Sequence, residues 1–177
     1  MRACLDTCVL VPTALRGILL RLAEAGAFEP LWSARIFDEW SRADLKLNPN
    51  ANTGVTMALL RDRWKAAMIA ADETLEEIIS LPDVNDVHVL ATAVAGKADL
   101  LVTANLRDFP QTAMARFGIG LRHPDAFLLE LSDAWMAELR QAIEAEFELA
   151  IKATGEMFTK KAFLKRIGAP RVAKMVI

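Results

Sequence analysis

Asp6 stands at the end of a short apolar run, Arg2 to Leu5, and is followed at once by Thr7. Farther along, Leu100, Leu101 and Val102 form a second apolar run that ends in Thr103-Ala104-Asn105. Between the two, Asp86 falls in the first turn of an Ala-rich stretch, and an earlier helical segment carries the pair Asp38 and Glu39. Where such runs are parallel strands, ligands collect beyond their carboxyl ends, because the loops diverge there and helix N-termini point toward the gap. Asp6 and the Thr103 turn then border one crevice that receives Asp86, and Glu39 can complete the group. The residues alone do not choose between Asp38 and Glu39, since a mid-helix carboxylate is usually solvated.

Carboxylates brought within a few ångströms raise one another's pKa, so a cluster of them persists only with a proton or a cation to compensate it. With two histidines in the chain and no CxxC pair, zinc is poorly served, and hard oxygen donors favour Mg²⁺ or Mn²⁺. The chemistry open to that site is activation of water beside a neutralised phosphoryl oxygen, which is phosphodiester hydrolysis. Thr7 and Thr103 offer hydroxyls to carboxylates or to a substrate phosphate, and equally to helix capping. Arg107 is divided between a phosphate contact and a surface role. His88 follows Asp86 by two residues, about 200° around a helix, which assigns it a structural part, and His123 is a loop residue before Pro124.

The elements that must position these groups follow from pattern. Arg2 to Leu5 is a buried strand, and Thr13 to Ala25 a helix with Leu15, Ile18, Leu19 and Leu22 on one face and Gly26 as its stop. Ser33 opens a helix to about Leu45 that sets Ile36, Trp40 and Ala43 inward. The stretch from Asn48 to Gly54 is a loop with the character of a flap, and a helix from about Val55 to Ala71 follows. Ile78, Ile79 and Leu81 suggest a short strand; Asp83 caps a helix from Val84 to Ala95 that stops at Gly96. The strand Leu100 to Val102, a strand near Gly118 to Leu121 and a helix from Pro124 to Leu131 complete the series. Strands alternating with helices, the strands apolar on both faces, predict a parallel sheet covered on both sides. Past Ser132 the pattern is purely helical, with Trp135, Leu139, Ile143 and Phe147 at helical spacing and a further helix between Glu156 and Ile167. The expected organisation is therefore one α/β domain over residues 1–131 and a helical extension over 132–177.

The 177 residues, 54% of them apolar, suffice for one domain with a substantial core. No apolar run approaches a membrane span and no leader pattern opens the chain, so a soluble, cytoplasmic protein is expected. Cys4 and Cys8 do not make a disulfide framework and are read as small buried thiols. The four tryptophans, Trp32, Trp40, Trp64 and Trp135, are scattered rather than interleaved with bases, which points to packing and not to a stacking platform for single strands. Residues 1–150 hold 14 Lys and Arg against 22 Asp and Glu, whereas 151–177 hold seven bases against Glu156 alone. An acidic body tolerates an acidic metal site, and the basic tail is either a solvated helix face or a contact for phosphates or an acidic partner.

Four segments carry a resemblance. Cys4-Leu5-Asp6-Thr7-Cys8-Val9-Leu10, Ile36-Phe37-Asp38-Glu39-Trp40, Asp86-Val87-His88-Val89-Leu90-Ala91-Thr92-Ala93 and Leu101-Val102-Thr103-Ala104-Asn105-Leu106-Arg107-Asp108-Phe109 resemble, in order and spacing, the PIN-domain family. Within it they are most similar to the VapC-type toxin ribonucleases. The resemblance covers residues 1–131 and implies a three-layer α/β/α fold with a central parallel sheet. It further implies an Mg²⁺- or Mn²⁺-dependent endoribonuclease, the toxin of a toxin–antitoxin pair, with an RNA substrate and a cognate antitoxin; the apolar helices separately suggest a homodimer. Asp6, Glu39 and Asp86 are then acidic metal-site residues. The fourth position is Asn105, where many relatives have aspartate, or Asp108 before Phe109; Asn105 lends a carbonyl but no charge.

Asparagine at that position keeps a second reading open, a catalytically silent PIN-like module that binds RNA or regulates. A phosphotransferase built on an aspartate nucleophile after the first strand wants a second carboxylate two residues on, where Cys8 stands. No GxGxxG follows the first strand and no P-loop lysine occurs, which excludes the common dinucleotide and nucleoside-triphosphate folds.

Overall fold

A computed structural model of the chain describes residues 1–47 and 52–176. The apolar run predicted first is strand β1 (Arg2–Leu5), buried from Ala3 onward, and the run before Thr103 is β4 (Leu100–Val102), buried throughout. They pair in parallel, with Ala3 opposite Leu100 and Leu5 opposite Val102. Three further strands, β2 (Glu29–Ser33), β3 (Met68–Ile69) and β5 (Gly120–Arg122), complete an all-parallel sheet of order β3-β2-β1-β4-β5.

That order has a consequence for function. The chain builds outward from β1 through β2 to β3, then returns to lay β4 against the other side of β1, with β5 beyond it. The reversal makes the β1/β4 junction a topological switch point, where connections leave in opposite directions and a crevice opens at the carboxyl ends. Helices carry the crossovers: α1 (Thr7–Leu10) and α2 (Thr13–Glu24) between β1 and β2, α3 (Ala34–Leu47) and α4 (Thr53–Arg63) before β3. Between β3 and β4 come α5 (Glu73–Ile78) and α6 (Val87–Ala95), and α7 (Gln111–Phe117) precedes β5. The expected α/β architecture with a central parallel sheet is the one observed.

Several elements differ from expectation. Strand β2 was not anticipated; it opens with Glu29-Pro30, and proline cannot donate to a ladder. It is tolerated because β3 pairs only with Trp32 and Ser33, so at Pro30 one side of β2 has no neighbouring strand. Ile78, Ile79 and Leu81 are not a strand. Asp72 caps α5 by accepting from Leu75 N–H at 3.1 Å, and Ile78 is the last residue of that helix. The helix expected from Val55 to Ala71 ends instead at Arg63, passing through a 3₁₀ turn, Lys65–Ala67, into β3. Of the predicted Asn48–Gly54 flap, residues 48–51 lie outside the described residues.

Gly96 ends α6 as expected, although its backbone is right-handed (φ −75°, ψ −3°). What it provides is close approach: a Cβ there would lie 2.9 Å from Leu31 Cδ1 and 3.0 Å from the Thr92 carbonyl oxygen. The absent side chain lets α6 settle onto β2. The helix predicted to stop at Leu131 continues as α8 (Pro124–Thr154), kinked at Trp135 (φ −126°, ψ 33°). It packs against α2, where a Cβ on Gly17 would overlap the Glu146 carboxyl that pairs with Arg21. Two short helices follow, α9 (Lys160–Arg166) and α10 (Pro170–Val176). The N-terminus of α10 is held by buried Asp125 of α8, whose carboxylate accepts from Arg171 N–H and Val172 N–H, each at 3.0 Å. Among the described residues no helix is long and apolar enough to cross a membrane.

Trp32, Phe37 and Trp40 are buried and pack in sequence, the first pair tilted and the second edge-to-face, with ring centroids 5.5 and 5.6 Å apart. The packing role read for these tryptophans is correct, and Trp40 is further covered by the Arg16 guanidinium 4.5 Å above its ring.

Candidate active site

Asp6 leaves β1 tied to its neighbour: its N–H donates to the Val102 carbonyl at 3.1 Å, one step past the strand ladder. It occupies the N-cap position of α1, yet its side chain caps nothing. The carboxylate turns toward β4 instead, where Oδ2 accepts from Thr103 Oγ1 at 2.6 Å and from Cys8 Sγ at 3.1 Å. Thr103 Oγ1 in turn accepts from Asn105 N–H at 2.9 Å, and Cys8 Sγ from Ala104 N–H at 3.2 Å. One small network thus fixes Asp6 at the switch point. Burial, and secondarily the Asp6 charge, push the Cys8 thiol up to about 12, so it stays protonated and donates. Cys4 and Cys8 are both free; Cys4 is the inert buried thiol expected, whereas Cys8 belongs to the Asp6 network.

Glu39 projects from α3 and is gripped on both oxygens. His88 Nε2 lies 2.8 Å from Oε1, and Thr7 Oγ1 donates to Oε2 at 3.0 Å. Partial burial pushes the Glu39 carboxyl up, but the contacts with His88, Thr7 and Arg35 outweigh it and hold the carboxyl below its ordinary value. Its neighbour Asp38 is exposed, as a solvated residue should be.

Asp86 ends a 3₁₀ turn, Val84–Asp86, immediately before α6. Asp83, predicted to cap a helix beginning at Val84, caps this turn instead, accepting from Asn85 N–H at 2.8 Å, and the helix itself begins at Val87. Asp86 caps nothing, and its Oδ2 is buried with no hydrogen-bond partner. Burial first, then the charges of Asp6, Asp83, Asp108 and Glu39, raise its carboxyl to about 6. Those causes are also a statement of proximity: acidic groups from β1, α3, the turn before α6 and the turn after β4 share one field. Asn105 Nδ2 donates to Asp108 Oδ2, so the two candidates for the fourth position are joined. Asp108 is half-buried in the 3₁₀ turn Leu106–Asp108, while Asn105 and Arg107 are exposed.

The donors suit a hard cation in kind and in charge. An unpartnered buried carboxylate oxygen in the field of four other acids is a site short of positive charge. No three His, Cys, Asp or Glu side chains among the described residues stand close enough to enclose a metal ion. Mg²⁺ does not require that, since it keeps several waters and is commonly held by one or two carboxylates.

Two features escaped sequence reasoning. His88 was turned away from Asp86 by counting helical turns, and that count is silent on Glu39, which α3 brings to within 2.8 Å of the imidazole. The other is a shallow groove of about 540 Å³ beside Thr7 and Glu39, walled by Arg42, Ala43, Lys46 and Leu47 of α3. Arg42 and Lys46 follow Glu39 by three and seven residues, one and two helical turns along the same face, a spacing that was legible.

A Mycobacterium tuberculosis protein described as "Putative ribonuclease VapC50" is 49% identical over 45 residues, which are 25% of this chain and 27% of that protein. The match therefore spans about a quarter of the relative's length. The sequence profile of the PIN domain matches residues 2–107, which include β1 through β4, Asp6, Glu39, Asp86 and Asn105. The chain belongs to the PIN-domain family.

Proposed function

We propose that this protein is an Mg²⁺-dependent endoribonuclease, with Mn²⁺ able to substitute, that hydrolyses RNA phosphodiester bonds. PIN domains are typically metal-dependent nucleases, and the observation that carries the reading here is the unpartnered Asp86 carboxylate in the field of Asp6, Glu39 and Asp108. Asp6 and Asp86 would hold the cation, with Glu39 and the Asn105–Asp108 pair completing its surroundings. When bound, the cation lends positive charge to a phosphoryl oxygen and to the attacking water. Thr103 and Cys8 orient Asp6, and Thr7 orients Glu39, so the acids are pre-set rather than recruited. Arg42 and Lys46 offer cations to the RNA backbone along the groove, and Arg107 does so from the turn after β4.

The partial similarity to a protein described as a ribonuclease of VapC type supports RNA as the substrate and an antitoxin protein as the partner that silences it. We place its action in the cytoplasm, take residues 1–131 as the nuclease unit and 132–177 as its extension, and include a homodimer among its assemblies.

The test is cleavage of a structured RNA by purified protein. Activity should require Mg²⁺ or Mn²⁺, vanish with EDTA, and fall at least about 100-fold in Asp6→Asn, the scale of removing a group that stabilises the transition state. Equal cutting in EDTA, or full activity in the variant, defeats the reading. Asn105 favours one alternative, a silent RNA-binding module, because it supplies no charge where an aspartate would. That module would bind the RNA with no Mg²⁺-dependent cleavage.

A further inference from the structure

His88 lies on α6 and Glu39 on α3, yet the imidazole Nε2 sits 2.8 Å from Glu39 Oε1. The ring is 2% exposed, whereas the Glu39 side chain remains 28% exposed toward the groove. A side chain anchored in the core therefore holds one that meets solvent. Thr7 fixes the other oxygen at 3.0 Å, so the carboxylate plane is set by two donors from two different elements. A glutamate has three rotatable side-chain bonds, and on a half-exposed helix face it would otherwise sample many rotamers. His88 is itself immobilised by the packing of α6 on the sheet, where its flanking residues Val87 and Val89 are both buried.

From this arrangement we propose that His88 is a positioning residue, donating through Nε2–H to hold the Glu39 carboxylate in the orientation the metal site uses. The proposal rests on the reading of Glu39 as part of that site. It assigns the ring the tautomer with the proton on Nε2, leaving Nδ1, buried and without a partner, as the bare nitrogen. Groups that orient metal-site residues typically change metal affinity or activity by about 10- to 100-fold when removed.

Two substitutions separate orientation from bulk. His88→Leu keeps volume and apolar packing but has no donor, while His88→Gln retains an N–H of similar reach. Mn²⁺ affinity is measured by paramagnetic resonance on the full chain, alongside the Mg²⁺-dependent kcat and KM for RNA. His88→Leu should bind Mn²⁺ about 10-fold more weakly and lose kcat with KM little changed, and His88→Gln should recover most of both. In the unmodified protein, which needs no variant to fold, ¹⁵N-histidine NMR should show a protonated Nε2 on His88 whose signal moves with Mg²⁺ while that of His123 does not. Equal Mn²⁺ affinity in the Leu variant and the unmodified protein overturns the proposal, as does equal impairment of Leu and Gln variants or an unresponsive His88 signal. Failure of the unmodified protein to bind Mn²⁺ at all overturns the metal-site reading as well, which tells the two failures apart.

Discussion

At the scale of single residues, the site is a problem in charge. Asp86, raised to about 6 by burial and by its acidic neighbours, is protonated at low pH and is forced to ionise against those neighbours as pH rises. Its folded pKa exceeds the unfolded one, so its contribution to stability is present below the unfolded value and is lost as pH climbs through about 6. Without divalent metal, the melting temperature should fall between pH 5 and pH 7. Asp86→Asn should flatten that slope and stabilise the metal-free protein near neutrality by about 1 kcal/mol, a value discounted for solvent screening. Saturating Mg²⁺ should raise the melting temperature of the unmodified protein at pH 7 and do little for the variant; calorimetry with and without EDTA checks both. A slope unchanged by the substitution would remove Asp86 from the acidic cluster.

Among elements, α6 matters most, because it carries His88 and begins right after Asp86. Its seat on the sheet depends on Gly96, whose missing side chain admits Leu31 and the Thr92 carbonyl. Gly96→Val should cost about 1–3 kcal/mol in urea unfolding, the usual range for overpacking, and should weaken Mn²⁺ binding although Gly96 lies at the far end of the helix. The elements also show what the sequence could convey. β1, β4, α2 and α6 were legible because burial on both faces, or an apolar stripe ended by glycine, leaves a strong pattern. β2 was hidden by Pro30, and two-residue β3 is too short to have a period. Ile78 and Ile79 looked like a strand because two adjacent β-branched residues favour that reading, while the deciding signal was polar, the cap at Asp72. Asp6 was legible from its place at a strand end and Asp86 from the first turn of a helix, whereas Glu39 was told apart from Asp38, and Asp108 brought in, only through the family resemblance. Their network was not, since Cys8 with Asp6 and His88 with Glu39 are contacts created by tertiary packing.

On the scale of the whole molecule, the basic C-terminal region is fastened to the acidic body at Asp125, which satisfies two backbone N–H groups at the start of α10. Removing such a buried acceptor leaves those groups unpaired, at about 1–3 kcal/mol. Asp125→Ala should therefore release hydrogen-exchange protection in residues 170–176 while β1 and β4 stay protected. Loss of protection throughout the sheet would instead mean that the extension and the body unfold as one.

The reversal of strand order at β1 carries a temporal corollary. Asp6 and Glu39 are supplied by the part of the chain that builds one wing of the sheet, Asp86 and Asp108 by the part that turns back and crosses over. A nascent polypeptide that has not yet emerged past Asp108 holds only fragments of the acidic group, and β4, the strand that seals them together, has no partner until β1 is already in place. On the proposed function, such a chain would be chemically mute while it is being translated, and would become competent only when most of its sheet has closed.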